Sequence, residues 1–297
     1  MTAADRALCA RISGGDVAAG EDLLARDYAV ADLLARAAGA AGDAAGSVVL
    51  AWEQLIGNVA AGSVTDGLRG ALLDTVIAVL DDQDLLDTTD AGVPPAPVFL
   101  PLGDRWAGWW QDGPPTWPPG TPLTAGLAIE ALRRMPIGAR VLLVLRDAGG
   151  ITATEAEPTV NVPDPRQTTL LDSARQVYVA AIDHLLAVPP PDPAGTAPGA
   201  EETAGEAGPP SPDRAGAGIR ASDVRCDVVV GLTGRWLDGD MSEQDRDAYE
   251  QHLLFCPPCL IQVAKTRAAL AALRAAPAAV PGDDLRSRLA RLIAAGA

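Results

Sequence analysis

Apolar positions recur at three- and four-residue spacing along much of the chain, the period of an amphipathic helix. Over residues 16–38 the stripe is Leu23, Leu24, Tyr28, Ala31, Leu34 and Ala35. Val48, Val49, Trp52, Leu55 and Ile56 mark a second helix, and Leu68, Leu72, Leu73, Val76, Ile77 and Leu80 a third near 65–80. Their short connections predict a small helical bundle. The pattern resumes over 123–148 with Leu127, Ala128, Ala131 and Leu132, then Val141, Leu142, Val144 and Leu145, and ends at Gly149–Gly150. A short helix over 152–160, capped by Thr152 or Thr154 and interrupted by Pro158, precedes a longer one over 165–187. Asp164 is placed to cap that longer helix and Pro165 to open it. Short helix, turn and longer helix is the layout of a helix-turn-helix.

Two stretches lack any period. Residues 91–122 hold many of the prolines and four of the six tryptophans, Trp106, Trp109, Trp110 and Trp117, and read as an aromatic-anchored connector. Residues 189–220 are Pro, Gly, Ala and acids with one Ile, too poor in large apolar groups to offset their ordering entropy, and are expected to be a disordered linker. As a flexible coil that linker would span roughly 30 Å. The expected organisation is all-α: a bundle over 1–90, the connector over 91–122, a helix-turn-helix unit over 123–188, the linker over 189–220 and a small helical domain over 221–297.

Charge sharpens this picture. The formal net charge is −16 over 297 residues, and it is uneven. Residues 1–90 carry 5 basic and 15 acidic residues, a net of −10, whereas 221–297 carry 9 and 10, a net of −1. Phosphate backbones are held by clustered Lys and Arg. No segment supplies such a cluster, and an acidic face suits a basic protein partner better. No apolar stretch reaches the ~18 residues of a membrane-spanning helix, so no membrane partner is expected. The first residues lack the apolar core of a secretory signal, so a cytoplasmic location is expected.

The densest chemistry lies in 226–259. His252, Cys256 and Cys259 fall within eight residues, and Cys226 precedes them. Ser242 is a candidate cap for a helix over 243–255, on which His252 and Cys256, four apart, share a face. Cys259 follows a Pro257–Pro258 turn that is expected to stop that helix. A helix over 223–237 could carry Cys226 across as a fourth ligand. Three thiolates and one imidazole make a tetrahedral set suited to Zn²⁺, and four protein ligands leave no open position for catalysis. The same sulfurs could serve a redox switch. Cys9 and His184 have no ligand-spaced neighbours, and the acidic run Asp81, Asp82, Asp84, Asp87 lacks the glycine and terminal glutamate of a calcium loop. With no phosphate-cradling loop, no nucleophile elbow and two histidines in all, an enzyme is not expected.

The segment CDVVVGLTGRWLDGDMSEQDRDAYEQHLLFCPPC resembles the zinc-associated anti-sigma domain family, whose motif is an upstream Cys followed by HxxxCxxC at a helix end. Cys226, His252, Cys256 and Cys259 match it one for one. The N-terminal part is similar to sigma factors of the extracytoplasmic-function group. ALCARISGGDVAAGEDLLARDY resembles the start of their region 2, DRWAGWWQDGPPTWPPGTP a connector of some actinobacterial members, and the stretch from Arg134 to Leu186 their region 4. The sequence departs from that group where promoter contacts are made. LLDTVIAVLDDQDLLD is acidic where region 2 is basic, and the helix from 165 offers Arg166 and Arg175, the candidate DNA contacts, against Asp164 and Asp172.

The resemblance implies a transcription regulator in which a degenerate sigma-like module is fused to a zinc anti-sigma-like domain. Its partners would be RNA polymerase core, a sigma factor, or its own sigma-like half. Lys265 and Arg267, on the helix after Cys259, are the expected partner contacts, a clasp for the acidic bundle. The alternatives are an active sigma factor that binds promoter DNA under an autoinhibitory zinc domain, and a zinc-thiol redox sensor.

Overall fold

The computed structural model describes residues 1–39, 44–65, 67–86, 99–118, 120–187, 224–276 and 280–296. The expected linker 189–220 lies outside them, as do Asp87 and the first eight residues of the connector. The described residues form α-helices joined by turns, with no strand, as the apolar period predicts. None of these helices is long and apolar enough to cross a membrane.

Four helices open the chain: α1 (Ala3–Ser13), α2 (Val17–Ala38), α3 (Ala44–Ala60) and α4 (Leu68–Asp82). The Asp16 carboxylate accepts from the Ala18 N–H and so caps α2, and Thr2 does the same for α1 from Asp5. The helical stripe read from sequence is the core. Leu23, Leu24, Leu34, Trp52, Leu55, Leu72 and Val76 are all buried. Each such side chain contributes about 1.5–3 kcal/mol relative to an exposed one.

Next come α5 (Ala125–Arg133), α6 (Ile137–Leu143), a π-helical turn over Val144–Ala148, α7 (Ala153–Val160) and α8 (Asp164–Ala187). Thr152 and Glu155 form a reciprocal capping box for α7, which tolerates Pro158 and ends at Asn161 in the left-handed region. Asp164 is itself the first residue of α8 rather than its cap. The fully buried Arg140 ties α6 to α2, donating to the carbonyls of Met135 and Ala37. Arg69 on α4 reaches both Asp27 and the Gly149 carbonyl.

The C-terminal part holds α9 (Cys226–Asp238), α10 (Glu243–Phe255), α11 (Pro257–Arg274) and α12 (Asp283–Ala294). Pro257 and Pro258 do end α10, but they also open α11, because a helix's first turn has no N–H obligation for proline to break. α11 packs on α8, α5 and the π-helical turn, and α9 packs on α8. Gly234 makes the α9–α8 approach close: a Cβ there would lie 1.8 Å from the Asp172 carboxylate. α12 falls within the segment assigned to the zinc domain, yet it packs on α2 and α3. Leu285, Leu289 and Ile293 are buried there, with Arg286 paired to Glu21 and Arg288 to Glu53.

Candidate metal centre

Three helix ends converge on one point. Cys226 is the first residue of α9. The Ser242 hydroxyl accepts from the Asp245 N–H to start α10, whose first turn carries Glu243 and Asp245 as its dipole favours. His252 stands in the last turn of α10. Cys256 occupies the junction, its N–H donating to the His252 carbonyl at 2.9 Å, and Cys259 sits in the first turn of α11. The ligand atoms of Cys226, His252, Cys256 and Cys259 all lie within 4.8 Å of one another. No other group of three or more Cys, His, Asp or Glu side chains converges this way among the described residues.

The spacing fits a tetrahedral ion. Metal–sulfur bonds of about 2.3 Å imply sulfur–sulfur edges of about 3.8 Å. The Cys226 and Cys256 sulfurs are 3.7 Å apart, and the Cys226 sulfur is 3.8 Å from His252 Nε2. His252 Nδ1 lies 3.0 Å from the Val224 carbonyl, which can only accept, so Nδ1 carries the proton and the Nε2 lone pair faces the sulfurs. All three cysteines are buried and unbridged. Val229, Val230, Tyr249, Leu253 and Val263 surround them. Tyr249 is fixed by Thr233, 3.0 Å away, and by stacking on Trp236.

The three thiols do not ionise alike. Hydrogen bonding from Cys259 is the main cause that holds Cys226 down to about 6, and the Trp110 backbone N–H assists. Cys256 is pushed up, chiefly by burial. Cys259 is pushed up because it is the donor to Cys226, with burial adding to this. One sulfur ionises readily and a second is opposed by burial and by the first. A dication at the centre removes that opposition.

The structure also places the other candidate residues. Arg166 is exposed at the start of α8. Arg175 is not available as the expected DNA contact: its side chain is 3% exposed and committed to Asp147 at 2.7 Å and Asp238 at 2.8 Å. Nor does Lys265 clasp the acidic bundle. It is 4% exposed and binds Asp183 of α8 at 2.6 Å and the Pro115 carbonyl at 3.0 Å. Arg267 lies over the Trp236 ring inside the C-terminal part. Over Arg175 and Lys265 a helix interface closes on a cation whose partner is remote in sequence, whereas Arg267 stays exposed.

Sequence reasoning missed Trp110, whose indole N–H donates to the Cys259 sulfur at 3.3 Å. Its only prior signal was the tryptophan density of the connector, which gave no partner.

Comparison with known proteins agrees with the geometry. No curated protein matches the chain, and no solved structure does. Residues 226–260 match the family model described as "Putative zinc-finger", an anti-sigma-type domain, and this matched segment contains all four ligand residues.

Proposed function

We propose that the chain is a cytoplasmic transcription regulator in which a zinc-holding anti-sigma-type module grips a degenerate sigma-like helical portion of the same polypeptide. It acts by protein contact on a sigma factor or core RNA polymerase, not by catalysis. The observation that carries this reading is the closed Cys₃His donor set inside the zinc-finger segment. Soft thiolates with one imidazole favour zinc, and four protein ligands favour a structural role. Such a site can supply roughly 10–16 kcal/mol of apparent binding energy to a module too small to fold unaided. Support for the grip in cis comes from α11 packed on α8 and α12 packed on the acidic bundle. Because both parts belong to one polypeptide their contact is intramolecular, so even a weak one is mostly closed.

The reading is tested on the full chain, purified reduced. Elemental analysis should find one zinc per chain, and the holo protein should bind purified core polymerase or a sigma factor. Metal-free protein that is fully folded, or zinc-loaded protein that binds neither, refutes it. One observation bears on the alternative of a restrained active sigma factor: Asp238 of α9 covers Arg175 of α8. Run-off transcription with core polymerase and a chain ending after residue 188 decides that alternative.

A further inference from the structure

The two prolines after Cys256 leave the middle of the CxxC turn without backbone N–H donors. Sulfur ligands in a buried site nevertheless need hydrogen-bond partners, and here one arrives from far away in the chain. Residues 99–110 fold back on themselves as a short strap. Phe99 and Trp110 form an antiparallel bridge, the Leu100 N–H donates to the Trp109 carbonyl at 2.8 Å, and the Gly108 N–H donates to the Leu100 carbonyl at 2.9 Å. The strap is seated on the metal centre at three points. The Trp110 indole N–H donates to the Cys259 sulfur at 3.3 Å. Trp109 lies against the His252 ring, centroids 5.9 Å apart. The Asp227 N–H, one residue past a ligand, donates to the Gly108 carbonyl at 2.9 Å.

Gly108 makes the seat possible. Its φ of +80° is in the left-handed region, and a Cβ there would come within 2.6 Å of both the Arg225 guanidinium and the Asp227 carboxylate. Phe99 and Trp110 add apolar contacts to the cluster around the ligands, so the strap is held from the side of the metal centre. Trp106 is 54% exposed and Trp109 39% exposed, so their large apolar surfaces are not anchored in the main core.

We propose that the strap 99–110 is a metal-coupled element, with Trp110 a positioning residue of the metal centre, so that the strap seats on the C-terminal module only when the four ligands are gathered. This rests on the metal-binding reading above. It goes further in assigning the second coordination sphere to a segment that leads from the bundle into α5. Metal loss would then free residues 99–110 as well as unfold the ligand turn, while Pro115 and Trp117 further along the connector stay held by Lys265 and Asp183. Linkage makes the effect reciprocal: if metal favours seating, seating raises metal affinity by the same factor.

The test uses full-length protein and Co²⁺ as the probe. Wild type should take up Co²⁺ with the intense bands of tetrahedral thiolate coordination. Trp110→Phe keeps an aromatic ring against Phe99 and removes the indole N–H, together with part of the ring's volume. Loss of an outer-sphere donor should weaken Co²⁺ binding by about 10–100-fold in chelator competition. It should also move the sulfur-to-cobalt charge-transfer band to longer wavelength, because the freed sulfur lone pair rises in energy. Packing loss alone would not move that band. Gly108→Ala, which unseats the strap without touching a ligand, should lower affinity in the same direction, and it keeps the test decisive should Trp110→Phe fail to fold. Trypsin gives a second readout: cleavage after Arg105 should be slow in the metal-loaded wild type and fast in either variant or after chelation. An unshifted band with affinity within twofold of wild type, or Arg105 cleavage indifferent to metal, overturns the proposal. Failure of wild type to bind Co²⁺ at all overturns the metal reading instead.

Discussion

Replacing Lys265 by Met tests how the C-terminal module is fastened to α8. The Lys265 ammonium is nearly sealed from water, pairs with Asp183 at 2.6 Å, and lies 5.4 Å from the Trp117 ring centroid. Trp117 in turn donates its N–H to the same Asp183 carboxylate at 2.6 Å. Burial is the largest influence on both partners: it pushes the Asp183 carboxyl up and the Lys265 ammonium down, while the pairing offsets part of each. The pair is therefore costly to assemble and far costlier to break. Removing one partner of a buried pair typically costs about 3–5 kcal/mol, because the other is left uncompensated. Lys265→Met should lose that much unfolding free energy in urea, followed by helical circular dichroism. Asp183→Leu added to Lys265→Met should restore most of it, giving a coupling energy of about 2 kcal/mol or more in the double-mutant cycle. Because the pair is shielded, 0.5 M salt should leave the loss nearly unchanged, whereas an exposed clasp would be screened at that ionic strength (Debye length about 4–5 Å). A loss below ~1 kcal/mol, or one that salt abolishes, would refute the reasoning and restore Lys265 to the surface.

Two further predictions concern the α8–α9 contact. Burial, the leading cause, raises Asp172 to about 7, against the pull of Arg175. Its folded pKa exceeds the ordinary value of about 3.9, so ionisation is penalised only in the folded state. Stability from this group is unpenalised below pH ~4, falls through the interval up to about 7, and stays low above it. Asp172→Asn should match wild type near pH 4 and be more stable at pH 8, by up to about 4 kcal/mol in denaturant titration; parallel pH profiles for the two proteins would contradict this. Gly234→Ala would bring a methyl group onto Asp172 and Arg175 of α8, and the overlap should cost about 1–3 kcal/mol. Thermal unfolding should show the loss. A gain of ~1 kcal/mol, as for glycine in an exposed helix, would mean that the two helices do not approach so closely.

What the sequence discloses and what it hides divides along contact distance. Helix positions and the HxxxCxxC turn are written in spacings of three and four residues, so their apolar stripe and donor set can be read directly. Cys226 is legible because it opens a helix that the same period marks. Arg175 is not. Seen locally it faces Asp172 three residues earlier, as any exposed helix pair does, while the carboxylates that bury it are 28 and 63 residues away. Trp110 is separated from the sulfur it serves by 149 residues, and no periodicity encodes such a pairing. The acidic excess of the first 90 residues pointed to a basic clasp, and Lys265 and Arg267 stood nearest the ligands. The cations that meet the bundle are Arg286 and Arg288 on α12, paired with Glu21 and Glu53. The distinction has a physical origin. Of the three cations on α11, Lys265 lies on the buried face, where a single ammonium needs a dedicated carboxylate, while Arg267 and Arg274 stay exposed. α12 instead buries Leu285, Leu289 and Ile293 and leaves its arginines at the edge, where a diffuse acidic field suffices to orient the helix. Salt should therefore loosen α12 on the bundle while leaving α11 on α8 in place. One C-terminal segment thus meets the two N-terminal parts through contacts of opposite ionic sensitivity.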